Sequence, residues 1–113
     1  MISYSKELVA ALGSILPIHH ESFVDGKIVL PCLTYKMYDN RDTLVGDTIE
    51  YADITYMVKV WSDRVQDLEE RSLEVHQVMR EHGFSRLNTN DIHANGVGQR
   101  IMIYEAISYK KSA

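Results

Sequence analysis

The sequence predicts an α+β domain in which two amphipathic helices lie on a β-sheet and a long hairpin protrudes from it. Three stretches carry that expectation. Tyr51 to Trp61, YADITYMVKVW, is rich in β-branched and aromatic residues, and Ala52, Ile54, Tyr56, Val58 and Val60 alternate as a continuous apolar face. Directly after it, Asp63 to His82 switches to helical spacing. Before it, Asp39 to Glu50 mixes turn formers with Leu44, Val45 and Ile49, as in a hairpin whose arms run past the body of the sheet. A chain of 113 residues is one domain, 1–113, large enough to bury a modest core without disulfides or metal.

From the N-terminus, Tyr4 to Leu16 reads as a first helix, with Leu8, Val9, Leu12 and then Ile15 or Leu16 on one stripe and Pro17 as its stop. Pro17 to Phe23 suits a short edge strand, and Val24-Asp25-Gly26-Lys27 a tight turn. Lys27 to Tyr38 is strand-like. Pro31 inside it lacks the donor a central ladder needs, which puts it at an edge, a bulge or the start of the strand, with Cys32 to Tyr38 as the regular part.

The face of Tyr51–Trp61 that looks away from the core carries Tyr51, Asp53, Thr55, Met57, Lys59 and Trp61, half polar and half large and apolar. Such a face suits either another subunit or water. In the second helix, Asp63 reads as the N-cap with Gln66 three residues on. Val65, Leu68, Ser72, Val75 and Met79 form the buried stripe, Asp67 and Arg71 an exposed ion pair, and Gly83 with Phe84 the C-terminal stop. From Phe84 to Asn95 strand signals are patchy, with Asn88 to Asn90 and Asn95-Gly96 marking turns. Gly98 to Lys110 closes the chain as a central strand, apolar on both faces through Ile101, Ile103, Ile107 and Tyr109 against Met102, Tyr104 and Ala106.

Composition is that of an ordinary globular chain, 45% hydrophobic and 25% charged, and the longest mainly apolar run, Leu8 to Ile18, is too short to cross a bilayer. The N-terminus has neither a basic start nor a small-residue cleavage site, so synthesis in the cytoplasm and no membrane partner are expected. The net charge of -4 is unevenly spread. Asp39, Asp42, Asp47, Glu50 and Asp53 face Arg41 alone, and the acidic and basic residues elsewhere cancel. A segment of that kind is either a solvated turn or a negative surface that repels polyanions.

Sites for chemistry are not apparent. His19 and His20 are adjacent and in a strand point to opposite faces, while His76 and His82, six apart, leave one helix face; no metal ligand set results. Gly96-Val97-Gly98 precedes a strand and lacks the rest of a phosphate loop, and Asp39-Asn40-Arg41-Asp42 lacks the calcium-loop spacing. The single Cys32 reads as a small buried hydrophobe. No enzyme activity, cofactor or metal is expected, and the acidic balance argues against a dedicated nucleic-acid binder.

Taken together, Leu30-Pro31-Cys32-Leu33-Thr34-Tyr35, the strand ending in Val60-Trp61-Ser62, the helix with Val75, Val78 and Met79 that closes as His82-Gly83-Phe84-Ser85-Arg86, and the final Met102-x-Tyr104-x-Ala106 resemble the small tail-completion proteins of long-tailed bacteriophages. The resemblance runs from about Leu30 to Tyr109 and rests on core and turn residues. It implies a twisted, mostly antiparallel sheet with helices packed on one side. It also implies a homohexameric ring at the head-proximal end of the virion tail, a tail terminator or tail-to-head joining protein. Such a ring ends tail-tube polymerisation and meets the tail-tube protein on one side and the head connector on the other, while double-stranded DNA passes through without specific binding. The Phe84 to Gly98 stretch has no counterpart in this pattern, and strand and loop both stay open there.

In such a ring, Leu44, Val45, Ile49 and Trp61 are the expected subunit-interface residues, and Asp39, Asp42, Asp47 and Glu50 the expected channel-facing acids. Two other readings compete. One is a small cytoplasmic enzyme or ligand-binding domain in which the acidic hairpin, His19 and His20 surround a pocket; the other is an interaction adaptor unrelated to phage.

Overall fold

A computed structural model describes residues 3–23, 28–45 and 49–111, with the side chains at 23, 44, 45, 49, 50 and 108–111 outside that description. In chain order the elements are helix α1 (Ser5–Leu12), strand β1 (Ile18–His20), a 3-10 turn (Glu21–Phe23), β2 (Cys32–Val45), β3 (Ile49–Ser62), helix α2 (Val65–Glu81), β4 (Ser85–Ala94) and β5 (Val97–Lys111). The five strands form one open sheet in the order β1-β2-β3-β5-β4. Only β1 and β2 pair in parallel; the other pairs are antiparallel, so the expected α+β class and mostly antiparallel sheet are what the chain adopts.

The expected spine forms. Ala52, Ile54, Tyr56, Val58 and Val60 are all buried, and they meet Leu33 of β2, Met102, Tyr104 and Ala106 of β5, Leu8 and Leu12 of α1, and Leu68, Val75 and Met79 of α2 in one core. Both helices therefore lie on the same face of the sheet. Burying these side chains stabilises the fold by about 1.5–3 kcal/mol each before entropy is charged against it. The Tyr56 hydroxyl, buried at the centre, accepts from the Tyr4 backbone N–H at 3.3 Å and lies 2.7 Å from Ser5 Oγ. A strand residue thus serves the start of α1, whose first residues have no helical partner for their N–H groups.

Several expected boundaries move. The first helix ends at Leu12 instead of Leu16; Ile15 then bonds Leu12 through a tight turn, and Ile15 and Leu16 pack at the core margin. The expected edge strand shrinks to three residues followed by the 3-10 turn. The turn at 24–27 lies outside the described residues. Pro31 sits immediately before β2, the strand-start option among the three.

α2 starts later than Asp63. Its N-cap is Arg64, with no side-chain cap bond. Ser62 takes that part instead: its Oγ accepts from the Arg64 N–H at 3.0 Å and donates to Asp67 at 2.8 Å. Asp67 is thereby drawn inward, and Arg71 bonds Glu74 at 2.9 Å, so the expected Asp67–Arg71 pair does not form. Val65 leaves the stripe too, 70% exposed in the first turn, where the helix has not yet reached the sheet. At the other end Gly83 takes φ +85 and Phe84 N–H bonds Met79 at 2.9 Å, the left-handed stop that was expected.

β4 resolves the open question at 84–98 as a strand. Asn88 to Asn90, a turn signal, lies inside it, while Asn95 and Gly96, both at positive φ, make the tight β4–β5 turn. β5 is central in pairing, between β3 and β4, but its second face is only half covered: Ile101 and Ile103 are partly buried and Ile107 is 76% exposed.

Candidate assembly surfaces

β2 and β3 pair from Cys32↔Trp61 out to Val45↔Ile49, and β5 follows β3 as far as Lys111, so the protruding hairpin is a three-stranded arm continuous with the sheet. β4 stops at Ser85↔Glu105, and beyond that point the arm runs on without it. The long axis of the molecule, 52 Å against 25 and 23 Å, reflects this extension. A bulge between Met37 and Asp39 shifts the register within β2. In the shifted register Asp39 lies opposite Thr55 on the helix-free face, and Asp42, three residues on, lies opposite the buried Ala52 on the other face. The expected row of channel acids is thus split between two faces.

Asp39 bonds Arg41 at 3.1 Å, and Asp42 and Asp53 are exposed. Asp47 and the side chains of Leu44, Val45, Ile49 and Glu50 lie outside the described residues; the backbone nonetheless pairs Leu44 with Glu50 and Val45 with Ile49. On the helix-free face of the arm, Asp53 stands between Arg41 of β2 and Ile107 of β5, with exposed Tyr51 and Glu105 on the same side.

Trp61, the fourth expected interface residue, is half-buried on that face. Its indole N–H donates to Thr34 Oγ1 at 2.8 Å and Lys59 Nζ lies 5.8 Å from the ring centre. Lys59 in turn pairs with Glu21, which also lies near Lys36 at 3.9 Å. Glu21 of the 3-10 turn thus covers this end of the sheet, and Trp61 is committed within its own chain more than the sequence suggested. Cys32, alongside, is fully buried, and burial pushes its thiol up to about 11, which leaves no thiolate for chemistry near neutrality.

A second surface escaped sequence reasoning. All ten residues of β4 are exposed, because α2 lies over β3 and β5 and stops short of the edge strand. Arg86, Thr89 and Asp91 pair with Tyr104, Met102 and Arg100 and share their helix-side face, so β4 is the floor of a trough walled by α2. At one end Arg100 closes it with two bonds to Asp91 (2.8 and 2.9 Å), one to Glu69 (2.8 Å) and one to Ser72 Oγ (3.1 Å). At the other, Leu73, His76, Gln77, Arg80 and Glu81 line a cleft of about 400 Å³. His76 Nδ1 lies 2.9 Å from the Tyr104 hydroxyl, whose own pKa burial pushes up to about 12. Burial, and then the charges of Arg86 and Arg80, hold His76 below its ordinary value, so the imidazole is neutral near pH 7. The signal available in the sequence was the pair Arg80 and Arg86 flanking the Gly83 stop, but only the fold brings both charges to bear on His76.

Among the described residues no group of three or more His, Cys, Asp or Glu could hold a metal, and no helix is long and apolar enough to cross a membrane. Of the two adjacent histidines, His19 is exposed and His20 packs edge-on to Tyr35 at 5.1 Å.

No protein-family model matches the chain, and no curated protein does. Among solved structures, a chain described as "Virion of native gene transfer agent (GTA) particle" is similar in fold, with a TM-score of 0.65 and 11% identity over 91% of this chain and 84% of that one. At that identity the likeness is one of fold.

Proposed function

We propose that this chain is a phage-like virion structural protein without catalysis, which forms a ring at the head-proximal end of a tail, as a tail terminator or tail-to-head joining protein. The observation that carries this is the fold shared with a chain of a gene transfer agent virion over nearly its whole length. Two features of the molecule support it. One is the three-stranded arm, a projection longer than a self-contained domain needs. The other is the concentration of acidic residues in 39–53, two of the arm's three strands, which Lys110 and Lys111 on the third only partly offset.

In such a ring, six copies surround an opening, with Leu44, Val45 and Ile49 at the arm tips against neighbours. The tail-tube protein and the head connector dock on opposite sides. Asp42, Asp47 and Glu50 keep the opening negative. Duplex DNA carries a negative charge about every 1.7 Å, so a basic lining would hold the genome by counterion release where a negative one lets it pass.

Electron microscopy of the purified chain mixed with isolated tail tubes tests this. Rings capping one end of each tube are the expected result. Tubes that stay bare and continue to lengthen in the presence of the folded protein would refute the reading.

A further inference from the structure

The trough between α2 and β4 and the helix-free face of the arm are complementary, and we infer that each copy of the chain receives in its trough the arm of a second copy. This rests on the ring-forming reading above and adds which surfaces meet. The trough is positive at its Gly83 end, where Arg80 and Arg86 are both exposed and where their charge already weighs on His76; Leu73 beside them is 71% exposed. At the far end Arg100 binds both Glu69 and Asp91, so those two carboxylates are met there by a third guanidinium. Glu81, which accepts from Gln77 at 3.4 Å, keeps its charge, so the Gly83 end carries two guanidiniums against one carboxylate. The arm offers the reverse: Asp53 and Glu105 are exposed on one face beside Ile107, itself 76% exposed, and Arg41 across from Asp53 is bonded by Asp39. An apolar residue beside two carboxylates meets an apolar residue whose end of the trough carries two guanidiniums.

A chain cannot fill its own trough. Its arm is a rigid continuation of the same sheet and leaves the body at Glu105, just where β4 begins, so it points away. Lengths also match: at ~3.3 Å per residue the arm beyond Thr55 reaches about 20 Å, and β4 from Arg86 to Asp91 spans about 17 Å. Because arm and trough are different surfaces, every copy can donate one and accept the other, the heterologous contact from which closed rings are built.

Two variants test this, Asp53→Lys/Glu105→Lys on the arm and Arg80→Glu/Arg86→Glu in the trough, each checked for native circular dichroism and studied by native mass spectrometry and sedimentation. Each alone should raise the assembly midpoint about tenfold or more, because like charges then meet. Mixed in equal amounts they should assemble again, in rings with an even number of subunits, the reversed arm in the reversed trough alternating with the natural pair. As a second measurement, Asp53→Cys mixed with Arg86→Cys under mild oxidation should give a disulfide-linked dimer, with the buried Cys32 silent. Folded variants that assemble as the natural chain does, or a mixture that stays dissociated, would overturn the trough contact. If they nevertheless form rings on tail tubes, the proposed function stands without it; a natural chain that neither self-associates nor binds tubes removes both.

Discussion

Arg100 ties three elements together. Its guanidinium, 15% exposed, reaches Asp91 on β4 and Glu69, Ser72 and the Leu68 carbonyl on α2 from its place on β5. Replacing it with Leu should cost about 1–2 kcal/mol, at the lower end of what a buried charge loses because both carboxylates are open to water, and chemical denaturation would read it. The same hydrogen bond holds the Asp91 carboxyl below its ordinary range. The stability that follows is present above about pH 3.9 and is lost as pH falls through the depressed value, so Arg100→Leu should flatten this acid limb. For His76 the depressed folded value means that its contribution is complete above about pH 6.5 and lost as pH falls below that. Changing Arg80 and Arg86 to Gln should raise its titration midpoint, visible by NMR; an unchanged midpoint would leave burial as the only cause. None of these contacts was legible in the sequence. Ser62 at the start of α2, the Tyr56 hydroxyl at the start of α1 and Arg100 all act across elements, at sequence distances where spacing carries no signal.

Elements whose one face is buried were readable, and those without such a face were not. β3 alternates because α2 and α1 cover one side of it, and α2 carries a stripe because it lies on the sheet. β4 has ten exposed residues, so nothing imposes alternation, and its Asn and Thr positions read as turns. The arm fell between these cases: its apolar residues announced a hairpin, but β5 running beside it as a third strand followed only from the pairing. Two substitutions check the element boundaries. Gly83→Ala meets no atom within 4 Å yet keeps φ +85, so its cost is backbone strain alone, about 1 kcal/mol. Val65→Ser should change stability by less than about 0.5 kcal/mol, because its side chain lies in water and not in the core. A larger loss on thermal unfolding would return Val65 to the buried stripe.

At the scale of the whole molecule, the charge segregation read from composition acquires a shape: the acidic segment becomes an arm, and the trough left uncovered by α2 carries Arg80 and Arg86. Asp39 and Asp42 fall on opposite faces because they stand three residues apart in one strand, and the bulge at Met37/Asp39 decides which of them shares the helix side. Lys replacement of Asp42, an exposed charge whose contribution to stability is small, together with Asp47 and Glu50 should slow DNA release from particles that carry it without unfolding the monomer. The most direct measurement of the central claim is to purify the tailed particles made by a cell expressing this chain and locate it in them by electron cryo-microscopy. A virion ring protein predicts density for this fold in a single symmetric ring at the head-proximal end of the tail. Intact, infectious particles that lack the chain altogether would contradict it.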